Sequence, residues 1–466
     1  MVFSSLVFIF LFLPLVLILY YTSPSLKLKN WILVISSIIF YAWGEPVWVI
    51  LLLMSATVDY WNGRLIDKFR GKPLAKLGLF NTMVFNIGCL AIFKYSGFLT
   101  ENFNAITGLS VPVPSFALPV GISFYVFMSI SYTIDVWRGE VKAQKSFASF
   151  LVYIANFHHL VAGPIIRYGH IAKEITERYF KWSDFSDGIN RFSKGLFKKV
   201  FIANTAGALA VPLLAQDMES ATVLGVWLGV VLFSLQIYFD FSGYSDMAIG
   251  LGKMFGFHYH ENFKHPYTAK SITDFWRRWH ISLSSFFRDY VYIPLGGNRY
   301  KQVRNILVVW MLTGIWHGAS WNFIIWGLYF GILLLIEKFF LAKILDKLPS
   351  IFQHSYALFF IVVGWAIFYF TDLQQLLDNL KIMFGLTAVP LSDYEDYSII
   401  SSNLYWFIFA LVVCWPVHRK MREAIEKYGS PTALAAADFI QTIIYLGCAI
   451  ALLVGSTYNP FIYFRF

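Results

Sequence analysis

Stretches of apolar residues that approach the length of a transmembrane helix recur along almost the whole chain, from residue 1 to residue 455. A helix needs about 20 predominantly apolar residues to cross the hydrocarbon core of a bilayer. The sequence therefore predicts an all-α polytopic integral membrane protein with about 11–12 transmembrane helices, organised as a single membrane domain over residues 1–466. The twelve predicted spans are 3–21, 30–43, 47–63, 77–98, 117–137, 195–215, 221–250, 303–318, 320–337, 352–371, 403–417 and 433–455.

The composition agrees with this class of protein. Hydrophobic residues make up 58% of the chain and charged residues only 14%, whereas soluble domains contain about 25% charged residues. The first span has neither a basic region before it nor a small-residue cleavage site, so we expect a retained span rather than a signal peptide. The cysteines Cys89, Cys414 and Cys448 lie in apolar stretches at no metal-binding spacing, so no disulfide framework or zinc site is predicted.

Two segments fit neither a regular span nor a simple loop. Residues 147–166 contain the adjacent histidines His158 and His159 and a helix-breaking proline, Pro164. Residues 270–296 are rich in aromatic and basic side chains. Both segments are predicted to be re-entrant or interfacial, which a membrane protein tolerates where the backbone is buried in protein or faces water. Adjacent histidines point in different directions on a helix, so no metal site is predicted.

The lysines and arginines are distributed asymmetrically about these spans. If the N-terminus lies outside, 34 of the 37 basic residues fall on the inner side, and the exceptions are Lys94, Lys381 and Arg465. The positive-inside rule then places both termini on the outer face of a cytoplasmic-type membrane. The net charge of +10 is accounted for by this topology and by attraction to anionic membrane lipids, so no nucleic-acid partner is predicted. The outer connections carry the acidic residues Glu45, Glu101, Asp217, Glu219, Asp372, Asp378, Asp393, Glu395 and Asp396.

A histidine lies deep within one predicted span. His317 follows Arg304 by 13 residues, which is about 20 Å of helix at about 1.5 Å per residue. Ionisable groups at such depth are candidates for function, and a neutral imidazole can act as a general base near pH 7. A structural histidine bonded to a neighbouring helix is the alternative. Gly314 and Gly318 on the same helical face would let another backbone or a substrate approach closely.

A second group of polar residues lies in the sequence SITDFWRRWHISLS, which begins at Ser271. Ser271 is placed to cap a short helix, and Trp276 suits a membrane interface. This helix either lies on the inner face as an amphipathic surface helix or lines a cytoplasmic mouth. In the second case Arg277 and Arg278 could bind phosphates, and His280 would lie at that mouth.

A third group lies on one span, where Asp240, Ser242 and Asp246 crowd its inner half. These residues either form structural polar contacts between helices or serve as a proton relay or substrate lining.

Several of these segments together resemble the membrane-bound O-acyltransferase family. They are WRRWHISL (Trp276–Leu283), DFSGYSDMAIG (Asp240–Gly250), LGGNR (Leu295–Arg299) and WHG (Trp316–Gly318). Further segments resemble its bacterial branch, which contains the membrane subunits of alginate and peptidoglycan O-acetylation. They are the opening MVFSS, FYAW (Phe40–Trp43), LPVGISFY (Leu118–Tyr125), AGP (Ala162–Pro164) and the tail FIYFRF (Phe461–Phe466), so the resemblance runs almost end to end.

The resemblance implies a site and a setting. The active histidine of the family falls on His317 and its other recurrent polar position falls on His280. Family members have funnels from both faces that meet at a thin central layer. A cytoplasmic donor, acetyl-CoA here, would supply the acyl group without any bound cofactor or metal. The group would leave on the periplasmic side of a bacterial inner membrane through a separate SGNH hydrolase-like acetyltransferase. Candidate substrate-binding residues are Asp240, Ser242, Asp246, Trp276, Arg277, Arg278 and Trp316.

The sequence thus predicts the membrane subunit of an O-acetyltransferase for a cell-envelope polysaccharide. Peptidoglycan is preferred slightly over alginate as the acceptor, on a composition rich in Phe, Ile, Lys and Tyr. Two alternatives remain: transfer of D-alanyl or another acyl group to teichoic acid or lipid, and a transporter or flippase without acyl chemistry. A transporter would route its polar substrate past Asp240 and Asp246.

Overall fold

The computed structural model describes residues 1–218, 220–455 and 461–462. All regular secondary structure in these residues is helical and none of it is strand, which confirms the all-α prediction. Some residues used in the sequence analysis lie outside the described residues. They are Glu219 and Arg465 of the charge pattern and residues 463–466 of the tail that resembles the family.

The described residues form 22 α-helices, five π-helical turns and one 3₁₀ turn. The α-helices are α1 Leu13–Thr22, α2 Leu26–Ala42, α3 Trp48–Lys68, α4 Pro73–Leu90, α5 Ser96–Thr107, α6 Ile122–Arg138, α7 Phe147–Ile154, α8 Tyr168–Thr176, α9 Trp182–Phe197, α10 Asn204–Leu214, α11 Val223–Met254, α12 Ile272–Arg278, α13 Ile281–Phe287, α14 Gln302–His317, α15 Trp321–Ile336, α16 Ala342–Leu345, α17 Ser350–Tyr369, α18 Leu373–Met383, α19 Tyr394–Ser402, α20 Leu404–Cys414, α21 Val417–Tyr428 and α22 Pro431–Val454. π-Helical turns cover Phe8–Phe12, Ala91–Tyr95, Lys198–Ala203, Arg288–Tyr292 and Glu337–Leu341, and a 3₁₀ turn covers Pro266–Thr268.

Six helical stretches in the described residues are long and apolar enough to cross a membrane, and the pair α19–α20, bent by 66°, adds a seventh if it forms one span. The protein is therefore a multi-pass membrane protein. The count is below the twelve predicted because several predicted spans correspond to shorter helices, such as α2 and α6 with 17 residues and α14 with 16. The six stretches are Pro73–Thr107, Trp182–Leu214, Val223–Met254, Trp321–Leu345, Ser350–Tyr369 and Pro431–Val454.

The described residues group into two compact units. The first consists of Met1–Phe192, Tyr244–Glu261 and the described residues from Leu453 onward, and the second of Ser193–Gly243 and Asn262–Leu452. This grouping does not test the prediction of a single membrane domain over 1–466, which stays a prediction.

Within the first unit, the segment predicted to be re-entrant or interfacial is not a continuous helix. Helix α7 ends at Ile154, and the following residues run through buried non-helical backbone. The two histidines of this segment are fully buried and bond different groups: His158 Nδ1 lies 3.3 Å from the Tyr259 hydroxyl, and His159 Nε2 lies 2.8 Å from the Tyr153 carbonyl. The two imidazoles therefore bond separate groups in this unit and do not share a ligand.

Within the second unit, α14 and α15 form a tight helical hairpin. A Cβ added to Gly314 would overlap the carbonyl oxygen of Phe323 and lie 3.4 Å from Gly327 Cα. A Cβ added to Gly327 would likewise overlap the carbonyl oxygen of Trp310. The two backbones are therefore in direct contact, as small residues allow between membrane helices. Gly318 faces the Phe323 ring in the same way, so these glycines accommodate α15 and do not leave room for a substrate.

Candidate active site

The Trp- and Arg-rich segment of the second unit forms two helices of seven residues, α12 and α13. Ser271 caps the first of them as predicted, because its hydroxyl accepts the backbone N–H of Asp274 at 3.0 Å. The chain turns between the two helices at His280, whose backbone is left-handed with φ 45° and ψ 54°. Such a conformation is uncommon for a residue other than glycine, and strained backbone of this kind is concentrated at functional sites.

His280 is fixed by its own helix. Its side chain is 2% exposed, and its Nδ1 accepts the backbone N–H of Leu283 at 3.2 Å, which caps α13. A neutral imidazole that accepts at Nδ1 carries its proton on Nε2. In this geometry His280 therefore presents an N–H donor at Nε2, and it is not set up to take a proton there.

His317 is the last residue of α14 and is 4% exposed. Aromatic rings surround its imidazole: the ring centroids of Trp316, Trp326 and Phe368 lie 4.8, 4.9 and 5.3 Å from its own. The rings of Trp326 and Phe368 are nearly perpendicular to it. Trp316 also lies 5.9 Å from the ring of His280, so one indole contacts both histidines.

Both histidines line one cavity of about 810 Å³ in the second unit. Trp276 and Arg277 line the same cavity, while Trp316 contacts the histidines from outside the lining. The cavity continues to exposed charged residues, so it connects buried imidazoles with the protein surface. The basic residues along it are Lys270, Arg277, Arg288 and Lys338.

The two adjacent arginines of α12 have different surroundings. Arg278 donates to Asp274 Oδ1 at 2.8 Å and to Thr268 Oγ1 at 3.3 Å, so its guanidinium is held by nearby residues of the chain. Arg277 lines the cavity and is exposed, and within the described residues no carboxylate forms an ion pair with it. Of the two, Arg277 is the residue available to an anionic ligand.

Glu337 is a cavity residue that the sequence analysis did not single out. It is 2% exposed, and its carboxylate accepts the backbone N–H of Ile272 at 2.5 Å and that of Thr273 at 2.8 Å. The signal for it was present, because an acidic residue ends the otherwise apolar span predicted over 320–337.

Asp240 lies outside the lining of this cavity. Its carboxylate pairs with the ammonium group of Lys199 at 2.5 Å, and the two side chains are 2% and 4% exposed. Ser242, two residues further on, is buried at 1% exposure. A buried ion pair of this kind joins helices, so the geometry favours the structural interpretation of Asp240. A role for Asp240 and Ser242 toward substrate stays a prediction.

Asp246 belongs to the first unit and also forms an ion pair. Arg191 Nε donates to its Oδ1 at 2.7 Å, while the two terminal nitrogens of the same guanidinium bond Glu261 at 2.9 and 2.5 Å. One arginine thus bridges two carboxylates. This network accounts for Asp246 structurally, and its predicted role in substrate binding likewise stays a prediction.

The arrangement suits group transfer at a buried base. A base at His317, an N–H donor at His280 and a cavity with a basic entrance could hold an acyl donor that carries phosphates. Among the described residues, no three His, Cys, Asp or Glu side chains are grouped closely enough to hold a metal ion.

Comparisons with known proteins agree with this chemistry. Residues 138–377 match the sequence profile of the membrane-bound O-acyltransferase family, MBOAT. A probable alginate O-acetylase AlgI from Azotobacter vinelandii is 38% identical over the full length of both chains. A peptidoglycan O-acetyltransferase from Helicobacter pylori is 34% identical over 84% of this chain and 81% of its own. A teichoic acid D-alanyltransferase from Bacillus subtilis is 32% identical over 47% of this chain and 59% of its own.

Proposed function

Because the chain belongs to the membrane-bound O-acyltransferase family, it is a membrane acyltransferase, and we propose that it transfers acetyl groups for the O-acetylation of a cell-envelope polysaccharide. The acetyl group comes from acetyl-CoA on the cytoplasmic side and reaches His317 through the cavity of the second unit. The observation that carries the proposal is that cavity, which joins exposed basic residues to two buried histidines.

The relatives support a polysaccharide acceptor. A relative that matches this chain over its full length is named for alginate, and one that matches 84% of this chain is named for peptidoglycan. The composition favours peptidoglycan slightly, and the choice between these two acceptors stays a prediction. We further propose that the acetyl group is passed to a separate periplasmic or membrane-anchored acetyltransferase of the SGNH hydrolase type, which acts on the polysaccharide.

D-alanyl transfer is the alternative within the same chemistry. The D-alanyltransferase relatives match less than half of this chain, whereas acetyltransferase relatives match it from end to end. This difference favours acetyl as the transferred group. A transporter without acyl chemistry has no counterpart among the relatives described above.

The donor can be tested in inside-out membrane vesicles from cells that express the chain together with its envelope polymers. We expect radiolabel from acetyl-CoA to appear in the polymer as base-labile O-acetyl ester. Arg277→Gln should raise the apparent KM for acetyl-CoA at least about tenfold, because a hydrogen bond to a charged group is worth about 1.5–3 kcal/mol. The measurement is initial rate against donor concentration.

Arg419→Gln is the matched control, since Arg419 is an exposed residue of α21 whose partner is Glu423. Its donor KM should equal that of the wild type. Labelling from a D-alanyl donor but not from acetyl-CoA would exclude acetyl as the transferred group. Movement of substrate across the membrane without any labelled polymer would favour the transporter.

We also propose that the basic loops face the cytoplasm and that both termini face the periplasm. In a variant without its three native cysteines, Lys72→Cys should resist an impermeant thiol reagent in intact cells, and Glu395→Cys should react. Both positions are exposed, so the difference reports the side of the membrane. Labelling is read by mass shift, and both should label after the cells are permeabilised. If Lys72→Cys alone were labelled in intact cells, the basic loops would face the periplasm, and the acyl donor could not enter from the side proposed here.

A further inference from the structure

We propose that Glu337 is a positioning residue that ties the segment carrying His280 to the helical hairpin carrying His317. Its carboxylate is almost fully buried, at the point where α15 passes into a π-helical turn. π-Turns inside α-helices are frequent at functional sites. The proposal deepens the proposed function, and the first test below does not depend on activity.

The carboxylate accepts hydrogen bonds from one short stretch of chain. Oε1 accepts the backbone N–H of Ile272 at 2.5 Å, and Oε2 accepts the backbone N–H and the hydroxyl of Thr273 at 2.8 and 2.6 Å. Bonds from neutral donors to a carboxylate are stronger than those between neutral groups. Glu337 therefore fixes the start of α12 at several points.

These bonds complete the N-terminus of α12. The first amides of a helix have no partner within the helix. Ser271 satisfies the amide of Asp274, and Glu337 satisfies the two before it, at Ile272 and Thr273. A negative charge at this end also interacts favourably with the helix dipole. A helix of seven residues gains little from its own cooperativity, so its position depends on such contacts.

The hydrogen bonds of Glu337 connect two parts of the chain that each carry residues of the candidate site. Helix α12 holds Arg277 and leads directly into His280. Glu337 continues α15, whose backbone contacts α14 at Gly314, one turn before His317. A shift of α12 along α15 would therefore change the position of His280 relative to His317. A displacement of about 1 Å can cost about 10²-fold in rate.

The first test is hydrogen–deuterium exchange of the protein in nanodiscs. Glu337→Gln keeps the size of the side chain but replaces one acceptor oxygen with an N–H donor. We expect at least tenfold faster exchange of the amides of Ile272 and Thr273. Lys343→Gln, an exposed residue just beyond the same π-turn, should leave exchange unchanged. If both amides in Glu337→Gln exchanged at the wild-type rate, Glu337 would not hold the start of α12. This conclusion does not depend on whether the protein transfers acetyl groups.

The second test is a double-mutant cycle on acyl transfer. Glu337→Gln should lower kcat/KM about 10–100-fold, and this effect should largely disappear in a His280→Asn background, because Glu337 acts through the His280 segment. Thr273→Val removes only one of the bonds and should show a smaller loss, which keeps the test valid if Glu337→Gln folds poorly. Full additivity of Glu337→Gln and His280→Asn would overturn the positioning role. Absence of transfer by the wild-type protein would instead refute the proposed function.

Discussion

Replacing His317 with alanine is expected to lower kcat for acyl transfer by about 10²–10⁴-fold, which is the usual contribution of a general base. His317 ends α14, lines the cavity and is enclosed by aromatic rings, so no other group is expected to replace it. The variant should still insert and fold, because His317→Ala leaves the close backbone contacts between α14 and α15 at Gly314 and Gly327 unchanged. The measurement is single-turnover transfer of labelled acetyl, with the amount of folded protein determined by size-exclusion chromatography. Near wild-type turnover in well-folded protein would exclude this role for His317.

His280 provides the contrast. Alanine at this position would remove both the imidazole and the cap of α13, and a lost cap costs about 0.5–2 kcal/mol. Asparagine tolerates left-handed backbone and can cap the helix, so His280→Asn removes the Nε2 donor and the ring contacts with Phe241 and Trp316 but keeps the cap. We expect it mainly to raise the apparent donor KM, whereas His317→Ala removes turnover. Loss of kcat at an unchanged donor KM in His280→Asn would mean that both histidines take part in the chemical step.

Two mechanisms use His317 differently, and the same preparation distinguishes them. As a base, the imidazole takes the proton of the acceptor hydroxyl while that oxygen attacks the thioester carbonyl and the CoA thiolate leaves. As a nucleophile, the imidazole itself displaces the thiolate and carries the acetyl group until the acceptor takes it. Acetyl found on His317 after incubation without acceptor would establish the covalent route.

The parts of the structure that depend on local sequence were predictable. The spans predicted over 303–318 and 320–337 correspond to α14 at Gln302–His317 and α15 at Trp321–Ile336. The length of each apolar stretch and the glycine between the two helices, Gly318, indicate where α14 ends and α15 begins. The capping of α12 by Ser271 likewise depends on neighbouring residues, and it was predicted correctly.

The parts that depend on contacts between distant residues were not predictable. Glu337 bonds an amide 65 positions away, and Asp246 meets Arg191 across 55 positions. A single sequence gives the residue types but not these partners, so an acidic residue in a span has both a catalytic and a structural interpretation. The surroundings of Arg277 and Arg278 are a mixed case. The partner of Arg278, Asp274, precedes it by only one helical turn, but which of the two arginines lines the cavity depends on the packing of α12.

The glycines show how such a contact reaches the active site. Gly314 was expected to allow a close approach of either a backbone or a substrate, and the structure places the backbone of α15 there. A backbone carbonyl cannot rotate away as the end of a flexible side chain can. Any side chain at this position must therefore separate α14 from α15, one turn before His317.

Gly314→Ala is accordingly expected to destabilise the protein by about 1–3 kcal/mol, the usual cost of overpacking. Acyl transfer should fall by about 10²-fold, because His317 moves with α14 and misplacement of about 1 Å is this costly. Gly447→Ala is the matched control, since Gly447 lies in the apolar helix α22, where an added Cβ would meet no atom of another helix within 4 Å. Thermal unfolding in detergent and initial rates measure the two effects. Equal stability and equal rates in the two variants would show that α14 and α15 do not need this close contact.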